Sequence, residues 1–400
     1  MKVLYIHQYF VTPEEPGGTR SYWIAKELIK RGHEVTMITA TNKRHPENEE
    51  VNIDGINVIY LKNAYSNYMS TGGRIKSFVR FVLLAIKATF KIKKVDLVFA
   101  TSTPLTVGII ALWLKWTKGW KYVFEVRDLW PEALIQEGGI RNKFVQWVLY
   151  KLEHITYRYS KHIVTLSPGM LEGVLKVGTP PEKCSMIPNM SKPDKFFPHK
   201  PNKEIAKKFC IDFSKFNLIH FGSMGICNGL SYITDAAKLA HEQGFDDLNF
   251  IFLGDGATEP LLKKFVNDHK LPNVQFLGNH KMEVVSEIVN CCDASITSFS
   301  NIPILATNSP NKLFDSLSAG KPVIVNSAGW TKDMVEKDNC GFYVDPTNPQ
   351  ILIDKLNMVK NDKTMLSEWG INARNLSLNV YDKQILSAKI ADVIEKAYHD

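Results

Sequence analysis

Short apolar runs alternate along this chain with longer segments in which apolar residues recur every three or four positions. Val3 to Ile6, Glu34 to Ile38, Asn57 to Tyr60, Leu97 to Ala100, Tyr122 to Val126 and His162 to Leu166 have the length and bounding turns of buried strands. Between the first two, Ile24, Ala25, Leu28 and Ile29 fall at helical spacing, predicting a helix over Ser21 to Arg31. The pattern breaks over Met186 to Lys203, a proline-rich stretch without period, and resumes with strands at Leu218 to Phe221, Leu248 to Leu253, Val274 to Leu277, Ala294 to Thr297 and Gly341 to Val344. Strand and helix in alternation predict an α/β protein with largely parallel sheets. The break divides it into a domain over 1–190 and another over 205–378, with a last helix from about Lys383 to His399.

Ser309 to Val325 reads S-P-N-K-L-F-D-S-L-S-A-G-K-P-V-I-V. Ser309 suits an N-cap and Pro310 the first helical position, while Gly320 ends the helix before a strand at Val323. Unpaired N–H groups at such an N-terminus form a site for phosphate, and Lys312 adds a full charge. Asp315, three residues on, shares a helical face with Lys312 and can accept from a vicinal diol such as a ribose. Taken alone, a lysine and an aspartate on a surface helix are ordinary.

The loop Pro13 to Thr19, P-E-E-P-G-G-T, follows the first strand and opens a helix, which puts backbone N–H groups at the carboxyl edge of the sheet. It is not a dinucleotide fingerprint, and two adjacent glycines are common in plain turns. Strand Tyr122 to Val126 runs into R-D-L-W-P-E, so the carboxyl-edge rule projects Arg127 and Asp128 toward a ligand; the ordinary alternative is a turn residue before Pro131.

These segments resemble the retaining GT-B glycosyltransferases of family 4, most closely the WbuB-like bacterial enzymes that build O-antigen and capsule sugars. P-N-K-L-F-D, D-L-W-P, L-G-D-G, L-G-N-H and the I-P-N segment at the domain boundary carry the likeness, which extends over nearly the whole chain. It implies two Rossmann-like domains facing each other across a cleft, the first taking the acceptor and the second the nucleotide sugar, with the last helix returning to the first domain. It further implies donor contacts from Gly17, Gly18, Gly222, Asn228, Asn279, Thr307, Asn308, Ser309, Asn311, Lys312, Leu313 and Asp315, and catalytic roles for Asp128 and Lys312. The wider family has two glutamates eight positions apart here; Asp315 stands at the second place and Thr307 at the first. Gly222 to Gly229 lacks the Arg and Lys that many members carry, leaving Asn228 near the lysine's place.

The 49 Lys and Arg outnumber the 41 Asp and Glu, for a net charge of +8. Between Gly55 and Phe124 the only acid is Asp96, and Arg74 to Lys94 interleaves seven cations with large apolar residues, including Arg74, Lys76 and Arg80. That composition suits an anionic membrane surface, and Trp113, Trp116 and Trp120 lie nearby. A core helix with a solvated basic face, or a single-stranded nucleic acid site, would share it. The apolar stretches are too short to span a bilayer, Met1 to Phe10 lacks the long apolar region expected of a signal peptide, and the six cysteines lack metal-ligand spacing. The expectation is a cytoplasmic enzyme, peripheral on the inner membrane. It would move a sugar with retention, and without metal or cofactor, from a UDP-sugar to a polyprenyl-diphosphate-linked acceptor. The subgroup suggests N-acetylfucosamine as that sugar. A nucleotide-sugar epimerase of the same fold and a non-catalytic membrane or nucleic-acid-binding module are the rivals.

Overall fold

The structure is a computed structural model that describes residues 1–15, 17–41, 49–65 and 69–400; Pro16 of the P-E-E-P-G-G-T loop lies outside the described residues. The chain divides into two compact units, Met1–Pro188 with Lys383–Asp400, and Asn189–Asp382.

The first unit runs β1 (Lys2–Ile6), α1 (Arg20–Lys30), β2 (Glu34–Thr41), β3 (Glu49–Ile53), β4 (Ile56–Lys62), α2 (Thr71–Thr89), β5 (Leu97–Thr101), α3 (Val107–Lys118) and β6 (Tyr122–Val126). It continues through α4 (Glu132–Gln136), α5 (Lys143–Tyr159), β7 (His162–Thr165), α6 (Pro168–Lys176) and β8 (Cys184–Met186). Its strands form one sheet in the order β3-β4-β2-β1-β5-β6-β7-β8, parallel except for the β3–β4 pair. β1, β5 and β6 are central and buried on both faces, as in a sheet covered by helices on both sides.

The second unit contains α7 (Lys203–Lys208), β9 (Phe216–Phe221), α8 (Ser231–Glu242), β10 (Leu248–Leu253), α9 (Glu259–Asp268), β11 (Val274–Gly278) and α10 (Met282–Asn290). It ends with β12 (Ala294–Thr297), α11 (Asn311–Ser318), β13 (Val323–Val325), α12 (Trp330–Lys337), β14 (Gly341–Tyr343), α13 (Pro349–Val359) and α14 (Lys363–Asn379). The six-stranded sheet is parallel throughout, in the order β11-β10-β9-β12-β13-β14. The final helix, α15 (Lys383–His399), belongs to the first unit, where Arg31 of α1 pairs with Asp392 at 2.7 Å and Glu395 at 2.9 Å.

In each sheet the connections leave a central strand in opposite directions, at β1/β5 in the first and β9/β12 in the second. Crevices open beyond the carboxyl ends of strands at such switch points. His7 and Ser102 follow β1 and β5, whereas Gly222 and Ser298 follow β9 and β12.

Two local expectations are corrected. Helix α11 starts at Asn311 with Pro310 in the cap position, one residue later than the cap chemistry of Ser309 suggests. The Ser309 hydroxyl instead accepts from the Asn189 backbone N–H at 3.1 Å. The edge strands β3 and β8 add to the predicted set; β3 is E-E-V-N-I, too polar to show an apolar run.

Candidate functional site

In the second unit, the loops that follow β9 and β10 are built from glycine. Gly222 has φ +117°, and its loop is held by the L-G-D-G turn: a Cβ on Gly254 would lie 2.1 Å from the Gly222 carbonyl oxygen, and one on Gly256 2.6 Å from that of Met224. No side chain fits at either position. The Met224 N–H donates to the Asp255 carbonyl at 2.7 Å, and the Thr258 hydroxyl donates to the Met224 carbonyl at 2.7 Å. The ordinary-looking G-D-G turn is thus what lets the loop after β9 sit against the loop after β10.

Lys312, in the first turn of α11, reaches this loop. Its Nζ donates to Asn228 Oδ1 at 2.6 Å and lies 3.4 Å from His220 Nε2. His220 is buried in β9, and burial followed by the neighbouring Lys312 charge holds its pKa well below the usual histidine value, so the ring is neutral. Loss of water brings the Lys312 ammonium down to about 7. Among the described residues no carboxylate is paired with it.

Asp315 turns elsewhere. It is buried, and its Oδ1 forms an ion pair with Lys192 Nζ at 3.1 Å. Burial raises its pKa and Lys192 opposes that rise. Lys312 and Asp315 therefore occupy one helix but engage different partners. The segment Asn189 to Lys192 runs along α11: Asn189 Nδ2 donates to the Ser309 carbonyl at 2.5 Å, Ser191 Oγ to the Phe314 carbonyl at 3.3 Å, and the Lys192 N–H to Ser318 Oγ at 3.1 Å. If Asp315 also holds a ribose, Asp315→Asn is expected to weaken UDP binding by about 1.5–3 kcal/mol, the scale of a hydrogen bond to a charged group. Calorimetry with a melting curve on the same sample checks it. An unchanged affinity would leave Asp315 as the partner of Lys192 only.

The other expected donor residues divide by what their side chains do. Leu313 is wholly buried in the core under α11, which leaves only its backbone for a ligand. Thr307 ends a 3-10 turn over Pro303–Thr307 and donates its hydroxyl to the Ile304 carbonyl at 2.7 Å. The Asn308 carbonyl accepts from the Trp330 indole at 2.8 Å. Asn279, after β11, donates to Asp255 Oδ2 at 3.4 Å, and Asn311 is partly exposed in the first turn of α11.

In the first unit, Asp128 and Arg127 follow β6 as the carboxyl-edge rule requires. Thr103 Oγ1 donates to Asp128 Oδ2 at 2.5 Å, and the Arg127 N–H donates to Ser102 Oγ at 3.0 Å. Burial raises the Asp128 pKa, against the opposing Thr103 hydrogen bond and Arg127 charge. Arg127 Nη1 lies 3.4 Å from His7 Nε2, and the other nitrogen of that ring, Nδ1, is 2.6 Å from Ser21 Oγ. Burial, then the Arg127 charge, keeps His7 neutral. Gly17 has φ +136°, a conformation that favours glycine, and Gly18 follows it on the way into α1. Arg74, Lys76 and Arg80 stand on α2, with Lys76 and Arg80 exposed. Among the described residues no three His, Cys, Asp or Glu side chains gather as metal ligands.

Three groups of this framework lie outside the expected set: His220, Lys192 and the buried pair Arg20–Glu125, whose Nε to Oε1 distance is 2.9 Å. His220 and Glu125 do carry a signal, a single ionisable residue inside L-I-H-F and V-F-E-V. Lys192, in a proline-flanked stretch, carries none.

Residues 17–190 match the family described as Glycosyl transferase 4-like domain, and residues 202–376 match Glycosyl transferases group 1. The chain is a glycosyltransferase of the GT-B type. It is 21% identical over 291 residues to the "Probable glycosyltransferase WbjE" of Pseudomonas aeruginosa, covering 72% of this chain and 71% of that one. Among solved structures it is similar to Anabaena Alr3699/HepE in complex with UDP-glucose, with TM-score 0.71, 17% identity and coverage of 99% of this chain and 100% of the other. WaaG, a glycosyltransferase involved in lipopolysaccharide biosynthesis, gives TM-score 0.70 at 19% identity, covering 98% and 99%. In this transferase the glycine-built loop and Lys312 occupy the edge of the second sheet, and Asp128 that of the first.

Proposed function

We propose that this protein transfers a sugar from a UDP-sugar, with retention of configuration, to a polyprenyl-diphosphate-linked saccharide in bacterial O-antigen or capsule synthesis. The observation that carries the reading is Lys312: an ammonium without a carboxylate partner among the described residues, at a helix N-terminus and against a glycine loop at a switch point, suits a diphosphate. HepE in complex with UDP-glucose and WaaG's part in lipopolysaccharide synthesis support the donor and pathway class. Leaving-group charge falls to Lys312 and the amides of α11, without a divalent ion or cofactor. Asp128 orients the acceptor hydroxyl, and Asp315 the ribose. N-acetylfucosamine is the sugar that the WbuB-like motifs favour.

The membrane is the natural site for such an acceptor. On α2, Ile75, Val79 and Leu83 are exposed at four-residue spacing beside Lys76 and Arg80, so this helix presents both apolar and cationic groups. The enzyme would then work peripherally, on the cytoplasmic face. No helix among the described residues is long and apolar enough to cross a membrane.

The test is a UDP-sugar and a short-chain prenyl-diphosphate saccharide in EDTA, followed by UDP release and NMR of the new anomeric centre. UDP release with the donor's anomeric configuration in the product is expected. An inverted product would make Asp128 a general base, activity restored only by Mn²⁺ would add a metal, and epimerised donor without UDP release would favour the epimerase.

A further inference from the structure

Two arginines stand near the carboxyl edge of the first sheet, and their surroundings differ in kind. Arg20 is saturated: its Nε donates to Glu125 at 2.9 Å and its two Nη groups to the Ile187 and Pro188 carbonyls, with 1% of the side chain exposed. Arg127, two residues beyond Glu125, has no such set. It is partly exposed, and its guanidinium donates to a single side chain, His7, across 3.4 Å. Among the described residues it forms no ion pair with a carboxylate. Asp128 feels its charge but is hydrogen-bonded by Thr103 instead.

His7 is placed to aim this arginine. It follows β1 and is 2% exposed, and its other ring nitrogen, Nδ1, lies 2.6 Å from Ser21 Oγ in the first turn of α1. A guanidinium N–H can only donate, so Nε2 must accept; the neutral ring then carries its proton on Nδ1 and gives it to Ser21. Burial, and after it the Arg127 charge, favours that neutral form. The Arg127 backbone is fixed as well, because its N–H donates to Ser102 Oγ, after β5, at 3.0 Å. The ends of β1, β5 and β6 thus converge on one guanidinium, and the ring that holds it leaves its charge uncompensated.

We infer that Arg127 binds the diphosphate of the acceptor, and that His7, through Nε2, is the positioning residue that holds the guanidinium for it. An arginine with a purely structural task would resemble Arg20, its N–H groups spent on a carboxylate and carbonyls. Arg127 keeps the rest of its planar fork unspent, next to the Asp128 to which the acceptor hydroxyl is assigned, and such a fork matches paired phosphate oxygens. Naming the acceptor as the source of that diphosphate rests on the proposed transfer; the anion site itself does not.

The experiment uses the full chain carrying Lys312→Met, so that the second unit's phosphate site does not report, and titrates it with geranyl diphosphate by calorimetry. Arg127→Gln is expected to weaken binding about tenfold or more, the scale of losing a hydrogen bond to a charged group, and His7→Leu about three- to tenfold. His7→Gln returns an acceptor atom near the place of Nε2 and should restore part of the loss. Arg127→Gln/His7→Leu should bind no more weakly than Arg127→Gln, since the histidine acts through the arginine alone. In turnover with Lys312 intact, the chain should prefer a prenyl-diphosphate saccharide to the same saccharide on a neutral alkyl chain. Arg127→Gln and His7→Leu should shrink that preference, through acceptor KM more than through kcat. Unchanged geranyl diphosphate binding by Arg127→Gln overturns the inference, as do losses that multiply in the double variant. An equal loss on both acceptors overturns it too, by placing Arg127 on the sugar. If Arg127→Gln does not fold, Arg127→Lys replaces it: the charge stays and the fork goes, and unchanged affinity counts against the inference in the same way. Arg127-dependent binding without any sugar transfer would sink the transferase reading and leave the anion site standing, whereas transfer without Arg127 dependence sinks this inference alone.

Discussion

Lys312→Met is expected to reduce kcat about 10²- to 10³-fold, the scale of removing one preorganised donor from a developing oxyanion, with a smaller change in acceptor KM. The side chain sits 2.6 Å from Asn228 and 3.4 Å from a neutral His220, neither of which can neutralise it. Its charge is therefore costly in the free protein, and its pKa falls to about 7. A bound diphosphate reverses that balance, so the ligand selects the protonated lysine and binding takes up a proton. The sign follows: UDP affinity should fall as pH rises through about 7, by at most tenfold per pH unit, until the pKa of the complex is reached. Methionine keeps most of the volume and has no proton to lose. The variant should lose this part of the pH dependence and retain only that of the nucleotide's own phosphate. Calorimetry in two buffers of different ionisation enthalpy measures the uptake directly. Equal proton uptake in wild type and Lys312→Met would remove Lys312 from the phosphate site.

Much of this arrangement is legible in the amino-acid sequence, and what is legible shares a physical origin. Strands β6 and β10 stand out because a strand buried on both faces must be mostly apolar, and α11 because proline and glycine mark its ends. The carboxyl-edge rule then places Arg127 and Asp128 without further information. What is hidden depends on partners distant in sequence. Lys192 and Asp315 are 123 positions apart, and neither local pattern contains the other. Ser309 has the right chemistry for a cap, yet Asn189 offers its hydroxyl a different donor, and the helix begins after Pro310. Likewise β3 is polar because it is an edge strand paired on one side only, so its apolar content is low where periodicity needs it high.

The largest stability change is expected from Arg20→Met, about 3–5 kcal/mol, because it removes one partner of a fully buried ion pair. Arg20 and Glu125 are each no more than 1% exposed, and the guanidinium also donates Nη2 to the Ile187 carbonyl at 2.8 Å and Nη1 to that of Pro188. Glu125 Oε2 accepts from Thr101 at 3.1 Å. Methionine would strand a carboxylate and two carbonyls away from solvent, the costly half of a broken network. The double change Arg20→Met/Glu125→Leu should recover a substantial part of the loss, since it removes the stranded charge as well. Because the chain has two units, a single transition cannot be assumed. Tryptophan emission separates them: Trp23, Trp113, Trp116, Trp120, Trp130 and Trp147 lie in the first unit, and Trp330 and Trp369 in the second. Urea unfolding of Trp330→Phe/Trp369→Phe therefore reads the first unit alone, and that background should carry the comparison. If Arg20→Met unfolds at the same urea concentration as its parent, the pair does not hold the first unit together. A loss confined to activity would then point to Arg20 as the group that fixes the Ile187–Pro188 exit and, through Glu125, the strand that presents Arg127 and Asp128.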